Sequence, residues 1–148
     1  MPDENLRLGD LAIGDSSTGQ PITVSEADIL TFGARYDPQP FHTDPRAAQG
    51  SAFKGLIASG WHVAALIMRD LVDSRPYGAT PIIGLGVDEL RWTHPVRPGD
   101  TLHVRRTIVD IRRSRSKPDR GVISTLAEVT NQDGVTVMTL TTLTRMTD

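Results

Sequence analysis

The sequence predicts an α+β domain: one long helix packed on a curved antiparallel β-sheet. Three observations lead there. Apolar residues recur at helical spacing from Ser59 to Val72. After Pro81 the period changes to two. The helical pattern comes first and the strands follow as a run, which favours an α+β arrangement over alternating βαβ units.

Residues 1–20 are rich in Gly, Asp and Ser and read as a loosely held N-terminal arm, leaving 21–148 as the domain proper. Ile22 to Val24 is a short strand candidate. Ser25 offers an N-cap oxygen, with Glu26 and Asp28 in the following turn. Ile29, Leu30, Phe32 and Gly33 carry a helix to Tyr36, where Pro38 and Pro40 must break it. Asp37 to Pro45 is expected to be an irregular loop, with a turn of helix from Pro45 to Ala48. In the next helix Val63, Leu66, Ile67, Leu71 and Val72 are apolar, with Ala64 and Ala65 between them. Arg69, Asp70 and Asp73 supply the polar positions. The pattern is nearly apolar all round for two turns and predicts burial on most sides. Beyond it, Leu85 and Val87, Leu90 and Trp92, Leu102 and Val104, Ile123 and Thr125, Val135 and Val137, and Met138 and Leu140 alternate as strand pairs. Pro98-Gly99-Asp100 and Asn131-Gln132-Asp133-Gly134 are the turns between strands.

Composition narrows the chemistry. The chain has 148 residues, enough for one core, with 38% hydrophobic and 23% charged residues and a net charge of -2. Nothing in that balance suggests a nucleic-acid partner or an acidic membrane surface. The absence of cysteine excludes thiol catalysis, disulfides, Fe–S clusters and Cys-ligated zinc, and fits a cytoplasmic location. Met1 to Asp10 is polar and lacks a signal-type apolar run, and Val63 to Met68 is too short to span a bilayer. No membrane association is therefore expected.

The segment Tyr36-Asp37-Pro38-Gln39-Pro40-Phe41-His42-Thr43-Asp44-Pro45 carries the chemical signal. A carboxylate and an imidazole lie five residues apart on a chain stiffened by prolines. Converging on one point, they could grip a water, take its proton and return one to carbon. The alternative is a plain polar loop with a capping Asp and a surface His. Gly55-Leu56-Ile57-Ala58-Ser59-Gly60-Trp61 leads into the long helix. Its glycines and helix start could present the Gly60 N–H as an oxyanion donor to a thioester carbonyl, or could serve only close packing.

Taken together, Asp37-x-Gln39-Pro40-x-His42 with Asp44-Pro45, then Gly55 to Gly60, then Pro95-Val96-Arg97-Pro98-Gly99-Asp100-Thr101-Leu102 resemble the motifs of MaoC-like dehydratases and R-specific enoyl-CoA hydratases. The likeness runs from about residue 20 to residue 146. It implies a hot-dog fold, a long central helix wrapped by a curved antiparallel sheet, in a homodimer or higher homo-oligomer. It implies reversible hydration of a 2-enoyl-CoA thioester without metal or organic cofactor, coenzyme A entering only as part of the substrate. Asp37 and His42 would be the acid/base pair and Gly60 the oxyanion donor. The family's commonest residue at position 39 is Asn. Gln39 keeps the amide one methylene further out, which bears on substrate preference more than on activity.

Other residues are weighed beside these. Gln39, Tyr36, Phe41 and Ser59 flank the motif and are candidate substrate-binding residues, with core packing the alternative for the two aromatics. Arg112, Arg113 and Arg115, with Lys117 and Arg120 around Pro118, could meet CoA phosphates or form a solvated hairpin. His62 could face the site or pack structurally. His94 and His103 are not spaced with carboxylates as metal ligands and read as structural. Trp61 and Trp92 read as core or interface residues. Two competing functions remain, a hot-dog thioesterase and a catalytically silent acyl-CoA binding module.

Overall fold

Ser25 opens the first helix as its position suggested. In the computed structural model, which describes residues 5–148, its hydroxyl accepts from the Asp28 amide at 3.1 Å. Helix α1 runs Glu26–Tyr36. Pro38 ends that helix, but the following segment is not irregular throughout. Pro40 starts a one-turn helix α2, Pro40–Thr43, and Pro45 starts α3, Pro45–Gln49. A proline at the first helical position has no N–H to waste and brings a pre-set φ, so the residue that breaks one helix begins the next. Asp44 caps α3 by accepting from the Arg46 and Ala47 amides.

Helix α4, Gly60–Ser74, is the long helix. Val63 and Ile67 enter a core with Val104, Ala127, Val129 and Leu140 of the sheet. The expectation that α4 is buried on most sides is corrected. Trp61, Met68 and Val72 are 60%, 53% and 56% exposed. One sheet covers one stripe of a helix, and the apolar residues exceed that stripe. Conversely Asp70, one of the polar positions of the helix, is buried against Arg106 at 2.8 Å.

The sheet comprises β1 (Ser16–Thr18), β2 (Ile22–Thr23), β3 (Ile83–Trp92), β4 (Thr101–Arg113), β5 (Arg120–Thr130) and β6 (Thr136–Thr147). The order is β1-β4-β5-β6-β3, with β2 also on β4, and every pairing is antiparallel. Gly99 and Gly134 take the left-handed φ values, 86° and 74°, that their turns need. On β4 the residues Leu102, Val104, Arg106 and Ile108 point inward at period two. β3 forms the edge and is exposed along nearly its whole length.

The N-terminal segment is not a loose arm over its described part. Leu8 is buried with Leu71, Tyr77, Ile108, Ile123 and Met146, and Ser16 pairs with Thr107. Low apolar content hid this, because a single buried leucine and three strand pairings suffice to dock it. Residues 1–4 lie outside the described residues. No helix among the described residues is long and apolar enough to cross a membrane.

Candidate active site

The short helices turn the proline-rich segment back on itself and bring Asp37 and His42 together. Asp37 is the C-cap of α1 and His42 sits in the single turn of α2. His42 Nε2 lies 3.2 Å from Asp37 Oδ2. His42 Nδ1 donates to the Ile57 carbonyl at 2.7 Å. A carbonyl only accepts, so Nδ1 holds its proton and Nε2 is the nitrogen free to exchange one with the carboxylate or with a water beside it. The close approach of α1 to α2 depends on Gly33. A Cβ there would sit 2.6 Å from the His42 carbonyl oxygen.

Asp37 is held on three sides. Gln39 Nε2 donates to Oδ1 at 2.7 Å, and Ser59 Oγ donates to Oδ2 at 2.8 Å. Ser59 is the N-cap of α4, yet its hydroxyl makes no capping bond to its own helix. Partial burial pushes the Asp37 carboxyl upward. The hydrogen bonds from Gln39 and Ser59, with His42 adjacent, outweigh burial and leave it below its ordinary value. The site therefore keeps Asp37 ionised beside an imidazole.

Gly60 shares a cavity of about 310 Å³ with His42, also walled by Phe41, Phe53, Val63 and Trp92. At the first position of α4 its N–H has no acceptor within the helix and lies at the positive end of the helix dipole. Larger hollows of about 550 and 630 Å³ lie along the far part of α4 and do not contain His42. The smaller cavity is the one with the chemistry. His42 and the helix-start amide of Gly60 line this mostly apolar space, and Asp37 is linked to it through its 3.2 Å approach to His42; together they can move a proton and stabilise an oxyanion in the same turnover.

Residues 11–131 match the family model described as "MaoC like domain". The chain belongs to this family. A MaoC-like dehydratase from Rhodospirillum rubrum superimposes with a TM-score of 0.88 at 43% identity, covering 97% of each chain. The unliganded R-hydratase PhaJ1 from Pseudomonas aeruginosa gives 0.74 at 28% identity, covering 97% of this chain and 86% of that one. The Bacillus subtilis protein YdeM, described as uncharacterized, is 30% identical over 133 residues, 89% of this chain and 92% of its own length. The hot-dog fold implied by the motifs is the fold observed.

In this MaoC-like chain the other predicted residues divide. Phe41 joins the cavity wall, packed edge-on against His42 at 4.7 Å. Tyr36 is 64% exposed, packs at a tilt against Phe32 and does not line the cavity. Arg112, Arg113 and Arg115 are not brought to the dyad. They lie at the far end of β4 and in the following hairpin, whereas the dyad cavity abuts the segment leading into β4 through the Ala58 amide and the Val96 carbonyl. A strand of thirteen residues spans roughly 40 Å. Arg112 pairs with Asp110, and Arg113 with Asp148 and the Pro118 carbonyl. His62 is buried, stacked on Phe32 at 4.9 Å with an interplanar angle of 9°, and its Nδ1 has no partner. Phe53, Trp92 and His94 were not read as site residues, yet all three line the cavity. No local motif marks them, because the fold brings them to the dyad from distant segments. Among the described residues no group of three His, Asp or Glu is placed to hold a metal ion.

Proposed function

We propose that the protein catalyses reversible hydration of a 2-enoyl-CoA thioester, with Asp37 and His42 as the acid/base pair and Gly60 as the oxyanion donor. The observation that carries this is the 3.2 Å approach of His42 Nε2 to Asp37 Oδ2 at a cavity shared with Gly60. The family membership and the likeness to an R-hydratase support the same reaction class.

In the proposed mechanism a water sits between the carboxylate and the imidazole. The dyad takes one proton as the water oxygen bonds to C3. The electrons of the C2–C3 double bond move toward the thioester, and the charge that develops on its oxygen is met by the Gly60 N–H. A proton is then delivered to C2. The sum adds H and OH across the double bond, and dehydration runs the same steps backwards. The thioester is already electron-withdrawing, so no step calls for a metal or an organic cofactor. A positioned acid/base group is worth about 10²–10⁴-fold in rate and an oxyanion donor about 3–4 kcal/mol.

The proposal includes a homodimer. β3 pairs only with β6 among the described strands, so its other edge offers unpaired backbone groups. Leu85, Val87 and Trp92 on β3 and Trp61, Met68 and Val72 on α4 form an exposed apolar border beside that edge. Sedimentation would report the dimer.

The deciding assay follows loss of the conjugated double bond in crotonyl-CoA while free CoA is monitored in parallel. Asp37→Asn and His42→Ala should each abolish hydration and keep the native circular dichroism spectrum. Wild-type turnover in both variants would defeat the assignment. CoA release without hydration would instead indicate a thioesterase.

A further inference from the structure

We infer that Trp92 sets the length of acyl chain the site accepts, an inference that rests on the acyl-thioester reading above. The Trp92 indole forms one wall of the cavity that holds His42 and Gly60. It is pinned there by two contacts. Its Nε1–H donates to the Gly60 carbonyl at 3.0 Å, and its ring lies so close to Gly60 that a Cβ would come within 2.3 Å of Cε2. Gly60 is therefore glycine for Trp92 as much as for a ligand. The indole also meets Trp61 in a T-shaped contact, with centroids 5.1 Å apart at 77°.

A second, mostly apolar cavity of about 410 Å³ lies on the Trp61 side of this pair, and Trp92 itself lines only the first. Trp61, Ala64, Ile67, Leu90 and Leu140 line it, and Leu90 stands two residues before Trp92 on β3. The two cavities lie on neighbouring faces of the first turns of α4, with Gly60 and Val63 in one and Trp61, Ala64 and Ile67 in the other. An acyl chain whose carbonyl is bound at the Gly60 N–H runs into the indole after a few carbons. The space that would receive a longer tail lies beyond the tryptophan pair. Trp92 is thus a specificity-determining wall, its indole N–H bonded to Gly60 and its ring laid against the Gly60 backbone.

Trp92→Ala should join the two spaces, whereas Trp92→Phe should keep the wall and lose only the hydrogen bond. The test measures calorimetric affinity for butanoyl-CoA and octanoyl-CoA in the wild type and both variants, alongside hydration of the matching 2-enoyl-CoAs. Each newly buried methylene is worth roughly fourfold in affinity. The octanoyl-to-butanoyl affinity ratio should therefore rise at least about tenfold in Trp92→Ala and stay near wild type in Trp92→Phe. If Trp92→Ala does not fold, Trp92→Leu carries the same expectation with a smaller rise. An unchanged ratio, including equal weakening of both ligands, overturns the inference even where wild-type hydration is intact. A shifted binding ratio in a protein that hydrates neither thioester upholds the wall and defeats the hydratase reading alone.

Discussion

Ser59 Oγ donates to Asp37 Oδ2 at 2.8 Å across a separation of 22 residues, and leaves its own helix without a side-chain cap. A serine at an N-cap ordinarily accepts from the second or third amide of its helix. Here the hydroxyl is turned to a carboxylate instead. The start of α4 is thereby tied to the end of α1 through the proposed dyad. A hydrogen bond to a charged group contributes about 1.5–3 kcal/mol. Ser59→Ala is expected to lower kcat for crotonyl-CoA hydration by roughly 10- to 100-fold. The melting temperature should fall by several degrees as well, since the bond also ties α4 to α1. A large loss of stability with unchanged kcat would show that the hydroxyl serves the fold rather than the dyad.

Gln39 reaches the other carboxylate oxygen, Oδ1, at 2.7 Å. It is one of the groups holding the Asp37 carboxyl below its ordinary value. Removing it in Gln39→Leu should move that carboxyl upward, so the acidic limb of the kcat/KM profile shifts to higher pH. The sign for stability is the same. A carboxyl depressed in the folded protein contributes above the ordinary carboxylate range, and the contribution is lost as pH falls through the depressed value. Gln39→Leu should therefore soften the acid dependence of unfolding as well. Gln39→Asn retains an amide, and its acidic limb should lie between those of wild type and Gln39→Leu.

Asp70 and Arg106 form a buried pair inside the helix–sheet layer. Arg106 donates to Asp70 at 2.8 Å and to the Ile67 carbonyl at 2.9 Å, and Ser74 and the Gln20 amide complete the carboxylate. Breaking such a pair strands a charge and costs about 3–5 kcal/mol, whereas an apolar replacement of both partners is often close to neutral. Urea unfolding should show Asp70→Asn and Arg106→Met each strongly destabilised. The double variant Asp70→Leu with Arg106→Met should lose less than the sum of the single changes. Strict additivity would mean that the two charges do not support one another.

His62 provides a pH test independent of catalysis. Burial lowers its pKa below the ordinary 6.5, with Asp28 opposing the shift. A histidine held neutral contributes stability above its unfolded value, and that contribution is lost as pH falls through the folded value. Thermal unfolding between pH 7 and pH 5 should show a decline for wild type. The decline should be shallower in His62→Phe, which keeps the aromatic stack on Phe32. Parallel curves for the two proteins would remove His62 from the acid response.

Local chemistry along the chain was enough to place the long helix, the strand run and the turns at Gly99 and Gly134, whereas the spacing of Asp37 and His42 left a plain polar loop open and only the family resemblance favoured their pairing. The helix, strands and turns depend on periodicity or on a residue that tolerates positive φ. Whether α4 is covered, whether Asp70 is solvated and whether residues 8–18 are loose depend on which surfaces meet, and a one-dimensional pattern does not contain that. The same reason separates Arg112 and Arg113 from the dyad and brings Trp92 to it. Position along a strand sets distance from the site, and only the antiparallel path of the sheet decides which end of each strand faces Gly60.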